Sequence, residues 1–164
     1  MDYLTSVAIT IAILAGLWAG IGLNFGLIIW IGFISWACYF ASGAKVEGLT
    51  KTLVANLVGA LWAFIAIQGF TLLNKQGLSL PVAVGIAVGI VCFIMVLEAR
   101  IDILSFIPGA FAGAGSFFGG NVFEKASWTA VVIALVAGAV LGYISDIAAK
   151  AIMKKEKPAA YPHK

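Results

Sequence analysis

The sequence predicts an all-α integral membrane protein of six transmembrane helices, arranged as a 3+3 inverted repeat with a broken or kinked fifth span. Three observations carry this prediction. Of the 164 residues, 63% are hydrophobic and only 10% charged, with a mean hydropathy of +1.10, far from the roughly 45–50% apolar and 25% charged usage of soluble domains. Apolar stretches of bilayer length follow one another along nearly the whole chain. Between Ser105 and Asn121 the run SFIPGAFAGAGSFFGGN holds one proline and five glycines but no Lys, Arg, Asp or Glu. Such a run is too apolar for a surface loop and too rich in helix breakers for an ordinary core helix; a membrane tolerates it because neighbouring helices re-satisfy the freed backbone groups.

A span needs about 20 apolar residues to cross the hydrocarbon region as a helix. The first covers 4–23; Met1, Asp2 and Tyr3 supply no basic stretch before it, so it is expected to stay in the mature protein. Its Ala8, Ala12, Gly16 and Gly20 form a four-residue stripe of the kind that lets bilayer helices approach closely. The second span covers 25–42 and ends on Tyr39 and Phe40, the third 53–73, and the fourth 78–97 with Gly85 and Gly89 at the same spacing. The fifth, 103–118, rises only about 24 Å as a helix, less than the roughly 30 Å hydrocarbon thickness. It is therefore expected to be tilted, broken or paired with a thinned bilayer. The sixth, 128–147, repeats the small-residue stripe at Ala130, Ala134, Gly138 and Gly142. These spans form a single membrane domain over 1–152, and 153–164, with four lysines and two prolines, reads as a basic cytoplasmic tail.

Orientation follows from the distribution of Lys and Arg. Six crossings with the amino terminus inside place Lys45, Lys51, Arg100, Lys150 and the four tail lysines in the cytoplasm, against Lys75 and Lys125 outside. A re-entrant fifth segment divides the same charges six to four, the weaker bias. Both termini are therefore expected in the cytoplasm, and the net charge of +3 belongs to topology, with no nucleic-acid partner implied.

Sliding the chain by 78 residues puts Phe33 on Phe111, Tyr39 on Phe117, Phe40 on Phe118, Val54 on Val132, Leu57 on Leu135 and Val58 on Val136. With three crossings per half, the second copy runs opposite to the first. Inverted repeats of this kind build transport paths whose substrate site lies near the midplane, where broken helices meet. Hydrophobic helices drawn from few residue types also match by chance.

Catalytic motifs are missing. Gly113, Gly115 and Gly119 are one residue too widely spaced for a dinucleotide fingerprint, and Ser116 lacks the flanking glycines of a nucleophile elbow. The single histidine, His163, lies in the tail, and Cys38 and Cys92 sit inside apolar spans as small hydrophobes. No enzyme, metal or cofactor is expected. Glu98, Arg100 and Asp102 cluster at one turn and Asp146 precedes Lys150 by four residues; both groups read as interface ion pairs. The interior polar set is neutral: Ser35, Asn56, Gln68, Ser105, Ser116 and Asn121. These side chains either bond a neighbouring helix or line a path. Aromatic residues of the second and fifth spans are packing residues, or form a hydrophobic constriction where the halves meet. The predicted path thus comprises Phe33, Tyr39, Phe40, Asn56, Pro108, Gly109, Phe111, Gly113, Ser116 and Phe117.

The run Leu104-Ser105-Phe106-Ile107-Pro108-Gly109 with Phe111 and Gly113, together with Gly32-Phe33 and Tyr39-Phe40-Ala41, resembles the YcdZ-like family (DUF1097) of small bacterial inner-membrane proteins. The resemblance extends from the first span to the sixth, and the SFIPG segment is its most specific part. It implies a compact multi-span protein of the bacterial cytoplasmic membrane and brings no substrate or functional residues with it. The expected function is a channel or facilitator for a small neutral or weakly acidic solute; the alternative is a non-transport membrane protein that binds or stabilises a partner protein. Beyond the lipid bilayer and the small-molecule solute, the expected partner is a second copy of the chain, because one short chain leaves little room for a pore within the protomer and a homo-oligomer follows.

Overall fold

The computed structural model describes residues 1–123 and 125–153; the predicted tail beyond Met153 lies outside them. Six α-helices follow in order: α1 (Tyr3–Asn24), α2 (Ile29–Ala41), α3 (Lys45–Lys75), α4 (Leu80–Glu98), α5 (Ile107–Phe118) and α6 (Trp128–Ile152). A short 3-10 turn, Asp102–Leu104, precedes α5, and a π-helical turn, Gly119–Phe123, continues it. Helices α1, α3, α4 and α6 are long and apolar enough to cross a membrane. Helices α2 and α5, with 13 and 12 residues, rise only about 20 and 18 Å, well short of a roughly 30 Å bilayer core.

Each predicted span contains a helix, but several ends differ from the hydropathy boundaries. The second helix starts at Ile29 instead of residue 25 because Gly26, at φ +63°, turns the chain into the left-handed region and Leu27 N–H closes back onto Gly22 O at 2.9 Å, the Schellman arrangement. Gly43, at φ +99°, ends α2 the same way, with Ala44 N–H on Tyr39 O at 3.1 Å. The third helix then begins at Lys45, before the predicted residue 53. Its first turns are polar, with Glu47 and Lys51 paired at 2.9 Å, and a hydropathy window measures bilayer thickness, not helix length. For the same reason α6 runs on to Ile152 through Asp146 and Lys150.

The irregularity of the fifth segment lies at its ends. Pro108 occupies the first turn of α5, where its missing N–H leaves nothing unsatisfied, and Gly109, Gly113 and Gly115 sit in regular helix. At the far end Gly119 lies against the Trp30 ring and Gly120 against Val131 and Ile31, with no room for a Cβ on either glycine. The chain widens there into its π turn.

Two close crossings form the centre: α3 against α5, and α2 against α6. A Cβ on Gly59 would collide with the Ala110 carbonyl, one on Gly113 with the Asn56 carbonyl, and one on Gly138 with the Gly32 carbonyl. These backbones therefore touch directly. Helix α4 packs on α3 and α1 on α6. The interior is built from small and branched residues such as Ala63, Ala66, Ile31, Val131, Ala134 and Leu135, while Ile13, Leu17, Ile86, Ile90 and Phe93 face outward, as an apolar solvent permits.

Candidate functional site

At the meeting point of the two crossings, α2 brings Ser35, α3 brings Asn56 and α5 brings Ser116, all three essentially inaccessible. The Asn56 side-chain amide donates to Ser35 Oγ at 2.8 Å, and Ser35 Oγ donates onward to the Leu135 carbonyl at 2.6 Å. That chain leaves two oxygens over: Asn56 Oδ1 and Ser116 Oγ have no hydrogen-bond partner. A buried polar group left this way costs about 1–3 kcal/mol. Gly113, one turn before Ser116, rests on the Asn56 carbonyl, so the glycines of α5 bring the two unpaired groups into one region.

Beside this centre lies an apolar cavity of about 410 Å³, lined among others by Leu57, Leu61 and Phe64 of α3, Phe117 of α5, and Trp128 and Val132 of α6. Leu61 and Trp128 are 55% and 61% exposed, so the cavity opens sideways between α3 and α6. Leu57 and Phe117 are the chain neighbours of Asn56 and Ser116, about 100° away around their helices; the cavity lies beside the polar centre, and neither Asn56 nor Ser116 lines it. Phe117 meets Phe64 edge-on, with ring centroids 6.3 Å apart at 82°.

The opposite end is closed by polar contacts. Asp146 of α6, 1% exposed, accepts from Tyr3 Oη at 2.8 Å, Tyr39 Oη at 3.0 Å and Lys150 Nζ at 2.6 Å. One turn of contacts supports it: Trp36 Nε1 donates to Ser145 Oγ at 3.2 Å, and Thr10 Oγ1 to the Ser145 carbonyl at 3.0 Å. Tyr39 meets Tyr143 edge-on at 6.3 Å and 76°. The knot places the start of α1 and the end of α6 on one side of the protein, here called the terminal side. The predicted Asp146–Lys150 pair forms, but its carboxylate is buried, because two tyrosines distant in sequence cover it.

The other predicted ion cluster does not form. Among the described residues the ion pairs are Glu47–Lys51 and Asp146–Lys150; Glu98 instead accepts the Trp62 indole N–H on both carboxylate oxygens at 2.9 Å.

Of the predicted path residues, Asn56, Gly109, Gly113, Ser116 and Phe117 converge on the α3–α5 crossing. Gly109 and Gly113 seal that crossing, since Ala55 and the Asn56 backbone occupy the space a side chain would take. Tyr39 lies in the terminal-side knot with Phe40 packed edge-on to it at 5.2 Å. Phe33, Phe111 and Pro108 face outward, Phe33 stacking on Trp36 at 6.3 Å. Gln68 and Ser105 are exposed, and Asn121 donates to the Ala126 carbonyl at 3.2 Å. Sequence reasoning found the Asp146–Lys150 pair from its four-residue spacing but missed Tyr3 and Tyr39 as further partners of the buried carboxylate. Among the described residues no group of three or more His, Cys, Asp or Glu could hold a metal ion.

Residues 8–150 match the family model described as "Protein of unknown function (DUF1097)". The chain is 35% identical over 144 residues to the inner membrane protein YcdZ of Escherichia coli, covering 87% of this chain and 83% of that protein. It is 35% identical over 144 residues to YcdZ of Salmonella typhimurium, covering 87% and 85%. It is 33% identical over 153 residues to the uncharacterized protein YahC of Escherichia coli, covering 89% and 90%. No solved structure matches.

Proposed function

Starting from the premise that the chain belongs to the DUF1097 family of proteins of unknown function, we propose that it is a non-catalytic protein of the bacterial cytoplasmic membrane that passes a small, neutral or weakly acidic solute. The location rests on the names of the YcdZ relatives and on four helices long and apolar enough to cross a bilayer. One observation carries the function: Asn56 Oδ1 and Ser116 Oγ are buried without protein partners on α3 and α5, the helices that also line an apolar cavity. Hydrocarbon cannot satisfy these oxygens, whereas a small hydrogen-bonding guest can. No charged side chain lies among Ser35, Asn56 and Ser116, and the cavity lining is apolar, so an ion would lose its hydration without replacement.

An inverted repeat of two three-helix halves is supported by contacts that recur between them. The Gly32 carbonyl sits against Gly138 as the Ala110 carbonyl sits against Gly59. Ser35 bonds the Leu135 carbonyl where Gly113 rests on the Asn56 carbonyl. Tyr39 meets Tyr143 as Phe117 meets Phe64, both at 6.3 Å. In these pairs α5 follows α2 by 78 residues (39 to 117), while α6 follows α3 by 79 (64 to 143). The gap-free register of 78 is thus one residue short in the third helices, a rotation of about 100°. We assign the start of α1 and the end of α6 to the cytoplasmic side, because Lys45, Lys51, Arg100 and Lys150 share that side against Lys75 and Lys125 on the other.

Reconstitution into liposomes tests the reading. Small amides, polyols and short carboxylic acids should enter faster than into empty vesicles, and Ser116→Ala with Asn56→Leu should abolish the difference. No flux above empty vesicles for any of them overturns it.

The alternative, a scaffold that binds another protein or a second copy of the chain, is favoured by Gly16 and Gly20 on α1 and Gly85 and Gly89 on α4, which have nothing within 4 Å. The equivalent stripe on α6 is already used internally, Gly138 against Gly32 and Gly142 against Tyr39. In-membrane crosslinking should return a homo-oligomer that Gly16→Leu or Gly89→Leu disrupts. A monomer only would remove the support of these faces for either reading.

A further inference from the structure

We infer that the Tyr3–Tyr39–Asp146–Lys150 knot is a latch that holds the terminal side of the solute path shut, while at the Phe117 end a cavity opens laterally between α3 and α6. The inference rests on the permeation reading and names its regulation. A carboxylate buried in a membrane protein is costly and is kept for a reason; here it gathers three donors from three different segments. The equivalent end of the other half has none of this. Where Tyr39 stands in one half, Phe117 stands in the other, and Ile67 and Thr71 occupy the places that correspond to Asp146 and Lys150. Tyr39 is fully buried beneath its hydroxyl contact, and Phe117, without a hydroxyl, borders the cavity of about 410 Å³. Equivalent aromatic pairs with equal ring separations are thus tied down at one end and untied at the other. Opening toward the terminal side requires α2 to withdraw Tyr39 from α6, which breaks the Tyr39 bond and loosens the Tyr3 bond that clamps α1 over it.

Cys38, buried beside Tyr39, reports the opening. In full-length protein carrying Cys92→Ala, held in lipid nanodiscs open on both faces, a small water-soluble methanethiosulfonate should modify Cys38 slowly. Tyr39→Phe should raise the rate about tenfold, the population change expected when one hydrogen bond to a charged group is lost. Tyr3→Phe should raise it less, and Asp146→Asn at least as much as Tyr39→Phe. Unchanged rates in both tyrosine variants overturn the latch, and these two carry the test if Asp146→Asn does not fold. The same variants are assayed for solute flux in liposomes. Faster Cys38 modification with no flux of any solute overturns permeation and, with it, the role of this closure in a solute path. Wild-type flux, with neither labelling nor flux altered in the variants, overturns the latch and leaves permeation standing.

Discussion

The two short helices, α2 and α5, do the same job with different chemistry. Each is wedged against a long helix of the other half by direct backbone contact, Gly32 on Gly138 and Ala110 on Gly59, and each ends in an aromatic residue facing a second ring. At Tyr39 the ring carries a hydroxyl, the facing helix carries Asp146, and the space is filled. At Phe117 there is no hydroxyl, and a cavity remains. The two crossings make similar backbone contacts and differ in a few side-chain atoms.

The largest expected effect tests the shared framework. Gly59→Ala and Gly138→Ala each force a Cβ into a carbonyl of the facing helix and should cost about 3 kcal/mol or more in denaturant unfolding from detergent. Gly115→Ala, with nothing within 4 Å, should leave stability unchanged or raise it by up to about 1 kcal/mol. Equal losses at all three would mean that the crossings are not the organising contacts. Next in size is the polar end: Asp146→Ala should cost about 2 kcal/mol, because Tyr39 loses its buried acceptor. Phe117→Ala, beside existing empty space, should cost less than Phe→Ala usually does in a filled core, where about 3–5 kcal/mol is typical. Smaller still, Ser116→Ala removes an unpaired buried hydroxyl and should hold stability level or raise it by about 1 kcal/mol while lowering solute flux. A stability loss there would show that Ser116 is a bonded structural group. The smallest effect concerns the amino-terminal cap. The Thr5 backbone N–H, 2.8 Å from Asp2 Oδ1, holds the Asp2 carboxyl below its ordinary pKa of 3.8. The charged cap contributes above the unfolded carboxyl's pKa and is lost as pH falls through the lowered folded value. The protection of the first-turn amides of α1, relative to their intrinsic exchange rates, should therefore fall as pH drops from about 5 toward 3, and Asp2→Ala should remove that dependence.

Much of the framework could be read from composition and pattern. Six apolar segments became six helices, and the Gly/Pro run became the most irregular one. Asn56, Ser35 and Ser116 were legible as interior polar groups because few polar side chains interrupt their spans, although Gln68 and Ser105, singled out on the same ground, are exposed. What the sequence concealed was distance. Tyr3 meets Asp146 across 143 positions, and no local pattern records that meeting. The glycines of α5 also misled: several faces carry glycine, which suggested a broken helix, yet Gly109 and Gly113 face α3 while Gly115 faces open space.

Helix α3, with 31 residues, is about 46 Å long in a sheet of oil only about 30 Å deep. It must lean, or stand proud of the surface by several residues, and its charged first turns are suited to the headgroup layer. A thicker bilayer would draw it upright, a thinner one would tip it over, at a modest free-energy cost per ångström. Because α5 is clasped to α3 through Gly59 and Gly113, the short helix would be carried with it. Lipid chain length would then act on the interior like a hand on a lever.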